Sequence, residues 1–189
     1  IDGATNPTVF AGRHDASGCT GCAHNCQAPT DFSSRVMAPC HERIEALAEK
    51  VFRLATLRRS ETTKRKVAIV LYGFPPNAGA VGTAAYLGVF ESLLNTLHAM
   101  KADGYDVTPP ATVDALRAAV LGGNAAAFGQ PANVAARIPA SELVRRSRWL
   151  GETEKVWGPA PGRAQSNGAD VFVLGHQFGN IFVGIQPVF

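Results

Sequence analysis

The chain predicts an α/β fold, a small, largely parallel sheet flanked by helices, preceded by an irregular cysteine-containing segment. Three observations carry that prediction. Val67-Ala68-Ile69-Val70-Leu71-Tyr72 is apolar at every position, the pattern of a strand covered on both faces. A loop rich in Pro and Gly, 73–82, follows it, and then Leu87, Phe90, Leu94 and Leu97 recur at helical spacing. Further on, Val171-Phe172-Val173-Leu174 and Ile181-Phe182-Val183-Gly184-Ile185 flank His176-Gln177-Phe178-Gly179-Asn180, two strands around a tight connection, most economically a hairpin.

The remaining elements follow in order. Residues 1–40 lack periodicity and read as an irregular, Cys-rich segment, with 41–189 as the α/β domain. Residues 41–59 form an amphipathic helix, with Ile44, Leu47, Val51 and Leu54 on one face, expected to flank the sheet. Thr83 is placed to cap the central helix. Gly104-Tyr105-Asp106-Val107 suggests a second strand, as in a βαβ unit, and 111–121 a helix ended by Gly122-Gly123-Asn124. Residues 124–140 read as an irregular crossing, and Ser141 as the cap of one helix reaching about Val156.

Two groups of residues carry candidate chemistry. A strand, glycine loop and helix in succession can present backbone N–H groups to an anion, which points to Asn77, Gly79, Gly82 and Thr83. The loop lacks the Lys-Ser/Thr of a Walker motif, so a phosphate or carboxylate site stands beside a purely structural turn. Gln177 and Asn180 join His176 near a strand end, where open α/β sheets keep ligands, and His176 is the best titratable candidate. The four cysteines form the second group: Cys19, Cys22 and Cys26 are separated by two and three intervening residues, and Cys40 stands beside His41. Thiolates so spaced can ligate zinc or a [4Fe–4S] cluster, with Cys40, His24 or His41 as fourth ligand, or the segment is a variable surface loop.

Composition narrows the class. Hydrophobic content of 46% and charged content of 17% describe an ordinary globular chain, and a net charge of +3 is too small to argue for nucleic acid. No apolar run approaches the roughly 20 residues of a membrane span.

The wording of the loops is more specific than their spacing. Phe74-Pro75-Pro76-Asn77-Ala78-Gly79, Gly82-Thr83-Ala84-Ala85-Tyr86-Leu87, Trp157-Gly158-Pro159-Ala160-Pro161-Gly162 and Gln177-Phe178-Gly179-Asn180 occur in one order along the chain. So do Gly122-Asn124-Ala125, Ala132-Asn133-Val134 and Arg137-Ile138-Pro139. Together they resemble the large, porphyrin-binding H subunits of magnesium chelatases, with the cobaltochelatase large subunits as nearest competitor. The resemblance implies an internal piece of a much larger cytoplasmic protein, cut at both ends. It implies protoporphyrin IX and Mg²⁺ as substrates, and ATP used through a partner. The partners are two smaller subunits, one an AAA+ ATPase, and the pathway leads to chlorophyll or bacteriochlorophyll. Catalytic residues are then expected outside the piece, which alone is inactive. The competing readings are a cobalt-inserting enzyme acting on a corrin precursor and an interaction module built on Cys19, Cys22, Cys26 and Cys40. The family resemblance does not extend to the cysteine segment.

Overall fold

In a computed structural model, the structure describes residues 8–13, 37–72, 83–84 and 87–186. The chain divides into two compact units, Ile1–Ser60 and Glu61–Phe189. The sequence places the boundary twenty residues earlier, in front of the first helix.

In the first unit, strand β1 (Ala11–Arg13) pairs antiparallel with β2 (Met37–Pro39), and helix α1 (His41–Arg59) follows. Backbone bonds join α1 to what precedes it. Cys40 N–H donates to Phe10 O at 2.9 Å, and Ile44 N–H donates to Cys40 O at 2.9 Å. The Lys50 ammonium reaches Thr8 Oγ1 at 3.5 Å. Within this unit none of the residues of α1 is buried, and Ile44, Val51 and Leu54 are exposed.

In the second unit a 3₁₀ turn, Thr62–Lys64, leads into β3 (Val67–Leu71). Two-residue strands β4 (Thr83–Ala84) and β5 (Leu87–Gly88) pair with each other ahead of α2 (Val89–Ala102). Next come α3 (Val113–Arg117), a π turn at Ala118–Gly122, α4 (Ala125–Phe128) and β6 (Val134–Pro139). Helices α5 (Ala140–Arg146) and α6 (Leu150–Trp157) precede the hairpin β7 (Asp170–Phe178) and β8 (Ile181–Ile185). The four long strands form one sheet in the order β3-β8-β7-β6.

The α/β class and the flanking helices agree with the sequence, whereas the strand directions do not. Only β3 and β8 run parallel; β8–β7 and β7–β6 are antiparallel. The reason is the hairpin itself, which sets β7 against β8 and leaves its nine-residue first strand projecting past the five-residue second. The projecting part recruits β6 from the segment read as irregular. Val134-Ala-Ala-Arg-Ile-Pro carries little strand propensity, so the pairing with β7 supplies what the local sequence lacks.

The predicted strand at 104–107 is absent because its N–H groups close α2. Gly104 N–H donates to Lys101 O at 3.1 Å and Tyr105 N–H to Met100 O at 3.0 Å, with Gly104 at φ +85°, a Schellman ending. Two helices replace the single one expected at 141–156, because Ser147 is extended. The first of them is preceded by Pro139 rather than capped by Ser141. The helix expected over 111–121 starts at Val113 and continues through α3 into a π turn that ends at Gly122. Its start is held by Thr112, whose hydroxyl accepts from Ala115 N–H at 3.1 Å. Thr112→Ala should therefore cost about 1 kcal/mol in a urea titration, with the denaturant slope unchanged.

The core lies on one side of the sheet. Leu97, Leu116, Val120, Ile181 and Val183 are fully buried and belong to one cluster with Phe90, Leu93, Leu94 and Phe172. Val67, Ile69 and Leu71 face it, while Ala68 and Val70 are exposed. Among the described residues of the second unit, the core thus covers the uniformly apolar β3 on one face.

Candidate functional site

The strands set the start of the 73–82 loop and the β7–β8 turn at opposite ends of the sheet. β3 runs from Val67, beside Ile181, to Leu71, beside Ile185, and Gln186 N–H donates to Leu71 O at 2.9 Å. The loop 73–82 leaves from the Leu71 end; Asn77, Gly79 and Gly82 lie outside the described residues. The β7–β8 turn sits at the Val67 end, where Val67 N–H donates to Asn180 O at 3.1 Å. At about 3.3 Å per strand residue, the two ends are roughly 13 Å apart. The structure therefore does not gather His176, Gln177 and Asn180 at the end from which the glycine loop departs.

The amide N–H groups of Gln177 and Asn180 in that turn donate to backbone carbonyls. Asn180 Nδ2 donates to Thr63 O at 2.9 Å, and Asn180 N–H donates to Asp106 O at 2.7 Å. Gln177 Nε2 donates to Gly179 O at 2.6 Å. Gly179 has φ +63°, and a Cβ there would fall 2.5 Å from Asp106 O. The turn thus needs its glycine to dock against the segment following α2. The His176 ring packs on Phe178, with centroids 4.6 Å apart and planes at 50°.

The central helix starts later than expected. Thr83 pairs with Gly88 in the β4–β5 ribbon, so it does not cap α2; Gly88 holds that position. The Glu91 carboxylate folds back over Gly88, leaving no room for a Cβ. A carboxylate of the chain itself thus complements the positive end of the helix.

Sequence reasoning missed a pair of asparagines, although both lie in the matching segments. Asn133 is buried; its Nδ2 donates to Gly175 O at 2.7 Å and its Oδ1 accepts from Asn124 N–H at 3.1 Å. Its backbone also grips Gly175, whose N–H donates to Asn133 O at 2.8 Å. Asn124 in turn holds β6, with Nδ2 donating to Val134 O at 3.0 Å and Oδ1 accepting from Val134 N–H at 2.7 Å. Gly123, at φ +57°, leaves space that Asn133 Oδ1 fills. This clasp ties the π turn, β6 and the middle of β7 together. The only signal for it in the sequence is an Asn after Gly-Gly and another just before a strand.

Cys40 is a half-buried free thiol at the start of α1. Cys19, Cys22 and Cys26 lie outside the described residues. Among the described residues no group of three His, Cys, Asp or Glu side chains is disposed to hold a metal ion. Arg13 pairs with Met37, so the segment 14–36 leaves and returns at one point, three residues from Cys40.

Among the described residues the second unit is a mixed four-stranded sheet with helices packed against one face. The catalytic subunit of cobaltochelatase from Mycobacterium tuberculosis has the same fold, with a TM-score of 0.60 at 22% identity over 80% of this chain and 13% of that one. The CobN/Magnesium Chelatase family model matches residues 1–189. The chain belongs to the CobN/Magnesium Chelatase family. It is 64% identical over its whole length to the magnesium-chelatase H subunit of Cereibacter sphaeroides, and 63% identical to that of Rhodobacter capsulatus. In each case it spans 16% of the relative's length.

Proposed function

We propose that this chain is part of the porphyrin-binding H subunit of a magnesium chelatase, the enzyme that inserts Mg²⁺ into protoporphyrin IX on the way to chlorophyll or bacteriochlorophyll. The observation that carries this is 64% identity to a magnesium-chelatase H subunit across the entire chain. Identity to the structurally similar cobaltochelatase subunit is 22%, which favours magnesium and protoporphyrin over cobalt and a corrin precursor.

Metal insertion requires a porphyrin held out of plane, a base for two pyrrole N–H protons and a route that strips water from the ion. Mg²⁺ dehydrates reluctantly, which suits a reaction driven by ATP hydrolysis in an AAA+ partner subunit. The described residues offer no cluster of acidic and histidine side chains for that chemistry. The role we assign to this piece is scaffold and cavity wall within a cytoplasmic three-subunit enzyme. No helix among the described residues is long and apolar enough to cross a membrane. We assign ligand contact to the backbone around Asn77, Gly79 and Gly82, in the loop that follows β3. Thr83, Gln177 and Asn180 take structural roles, as strand pairing and backbone hydrogen bonds support. His176 serves packing on Phe178 rather than proton transfer.

The test is a titration of the full-length chain with protoporphyrin IX, read in the Soret band, followed by an insertion assay with the two smaller subunits and ATP. A shifted band and formation of Mg-protoporphyrin are expected, with residues 1–189 alone inactive. Binding of a corrin precursor with Co²⁺ insertion, and no response to protoporphyrin, overturns the reading.

A second reading concerns the cysteines, favoured by the β1–β2 ribbon that closes 14–36 beside Cys40. Three thiols separated by two and three intervening residues, with Cys40 as fourth ligand, fit zinc or a [4Fe–4S] cluster. Anaerobically purified full-length chain should contain zinc, or iron and sulfide in near-equal amounts, and Cys19→Ser with Cys22→Ser should abolish that content. Metal-free protein, or content indifferent to both substitutions, removes the cysteines from any such role.

A further inference from the structure

The strand register divides the sheet into two unlike faces. Residues directly opposite one another share a face, and alternate residues change it. Val67, Ile69 and Leu71 align with Ile181, Val183 and Ile185, and this face carries the core. Ala68 and Val70 align with Phe182 and Gly184, which in turn face Gln177 and Gly175. The same face continues through Val173 opposite Ala136 and Val171 opposite Ile138.

None of these residues belongs to the core cluster or packs against it. Val70 is 48% exposed and Ile138 37% exposed. No charged side chain stands on this face between Ala68 and Ile138. Its middle is floored by the Gly175–Gly184 pair, with the Phe182 ring lying across both: a Cβ on Gly184 would fall 2.6 Å from Phe182 Cε1. The result is a flat, uncharged, apolar surface. The strand β3, apolar at every position, is of the kind normally covered on both faces, and large apolar patches are rarely left open.

We propose that this face is covered by a second layer of the same polypeptide in the full-length protein, packed on Val70 and on the Phe182 ring that overlies the glycine pair. This rests on the chain being part of a longer H subunit. The greater part of the relatives' length lies outside it, since it spans 16% of each. The cobaltochelatase subunit likewise carries this fold in 13% of its chain. Without charge or hydrogen-bonding side chains at its centre, the face suits an apolar helix or strand layer and is poorly suited to a polar ligand.

Thiol accessibility in the full-length chain tests this. Val70→Cys and, as an exposed control, Asp114→Cys, whose aspartate is 93% exposed, are labelled with a maleimide, and site-specific rates are read by mass spectrometry. Labelling at 70 should be at least about tenfold slower than at 114, because it requires local opening. That protection should persist on dilution and in the absence of the smaller subunits. Equal rates at the two sites overturn the proposal. So does protection that is lost on dilution or arises only with the smaller subunits, which assigns the face to another chain. Hydroxyl-radical footprinting of the unsubstituted chain provides a second reading at Phe182, and heavy modification there has the same meaning. A Soret titration on the same preparation separates failure of the covering layer from failure of the chelatase reading.

Discussion

Replacing Asn133 with alanine should destabilise the chain by about 2–4 kcal/mol, because two hydrogen bonds at a buried site lose one partner each. Gly175 O loses the Nδ2 donor at 2.7 Å, and Asn124 N–H loses the Oδ1 acceptor at 3.1 Å. The truncation also leaves a void between the π turn and β7. Asn133→Asp discriminates between the two bonds. It keeps an acceptor for Asn124 but turns a carboxylate oxygen toward the Gly175 carbonyl, so the loss should be at least as large. Asn95→Ala, at an exposed position of α2, should stay within about 0.5 kcal/mol of the parent. Urea unfolding followed by tryptophan fluorescence and circular dichroism measures all three. A loss below about 1 kcal/mol for Asn133→Ala would mean that the clasp contributes no more than an ordinary exposed hydrogen bond.

Gly175→Ala carries the other large effect, about 3 kcal/mol or more, from backbone strain and clash together. Gly175 sits at φ +141°, and a Cβ there would collide with the Val183 carbonyl oxygen and fall 2.8 Å from Gly184 Cα. Both obstacles are backbone atoms of the neighbouring strand, which cannot step aside without opening the β7–β8 ladder. Gly184→Ala is the informative comparison. Its Cβ meets the Phe182 ring, which can rotate away, so the cost should be clearly smaller. Equal losses at the two glycines would show that the Phe182 ring is as immovable as the ladder. If Gly175→Ala yields no folded protein, the ordering is still read from Gly184→Ala against the parent.

These two positions explain why certain matching segments matter to the fold. Gly122-Asn124-Ala125 and Ala132-Asn133-Val134 resemble family motifs, yet in this chain their asparagines hold β6 against β7 rather than facing an open end of the sheet. The Gln177-Phe178-Gly179-Asn180 turn is similar: its amides are taken by Thr63 O and Gly179 O. Motif wording identifies the family, but it does not separate residues that shape a cavity from residues that touch what is in it.

By itself the sequence determined the features that local periodicity encodes. The α/β class, the stripe of α2 with Phe90, Leu94 and Leu97 buried, the β7–β8 hairpin and the family all follow from residues close together in the chain. Only the tertiary structure decided the rest. β6 pairs with β7 along the edge opposite β8, a partner that local sequence does not reveal. Asn133 meets Gly175 across 42 positions, and Asn180 meets Thr63 across 117. Hydrogen bonds of that span leave no period in the sequence; they exist only once the strands are ordered. The same ordering places the polar turn at the Val67 end of β3 and sets Val70 on the face away from the core. A run of apolar residues reveals that a strand wants cover on both sides, while what supplies that cover depends on the arrangement of the whole chain.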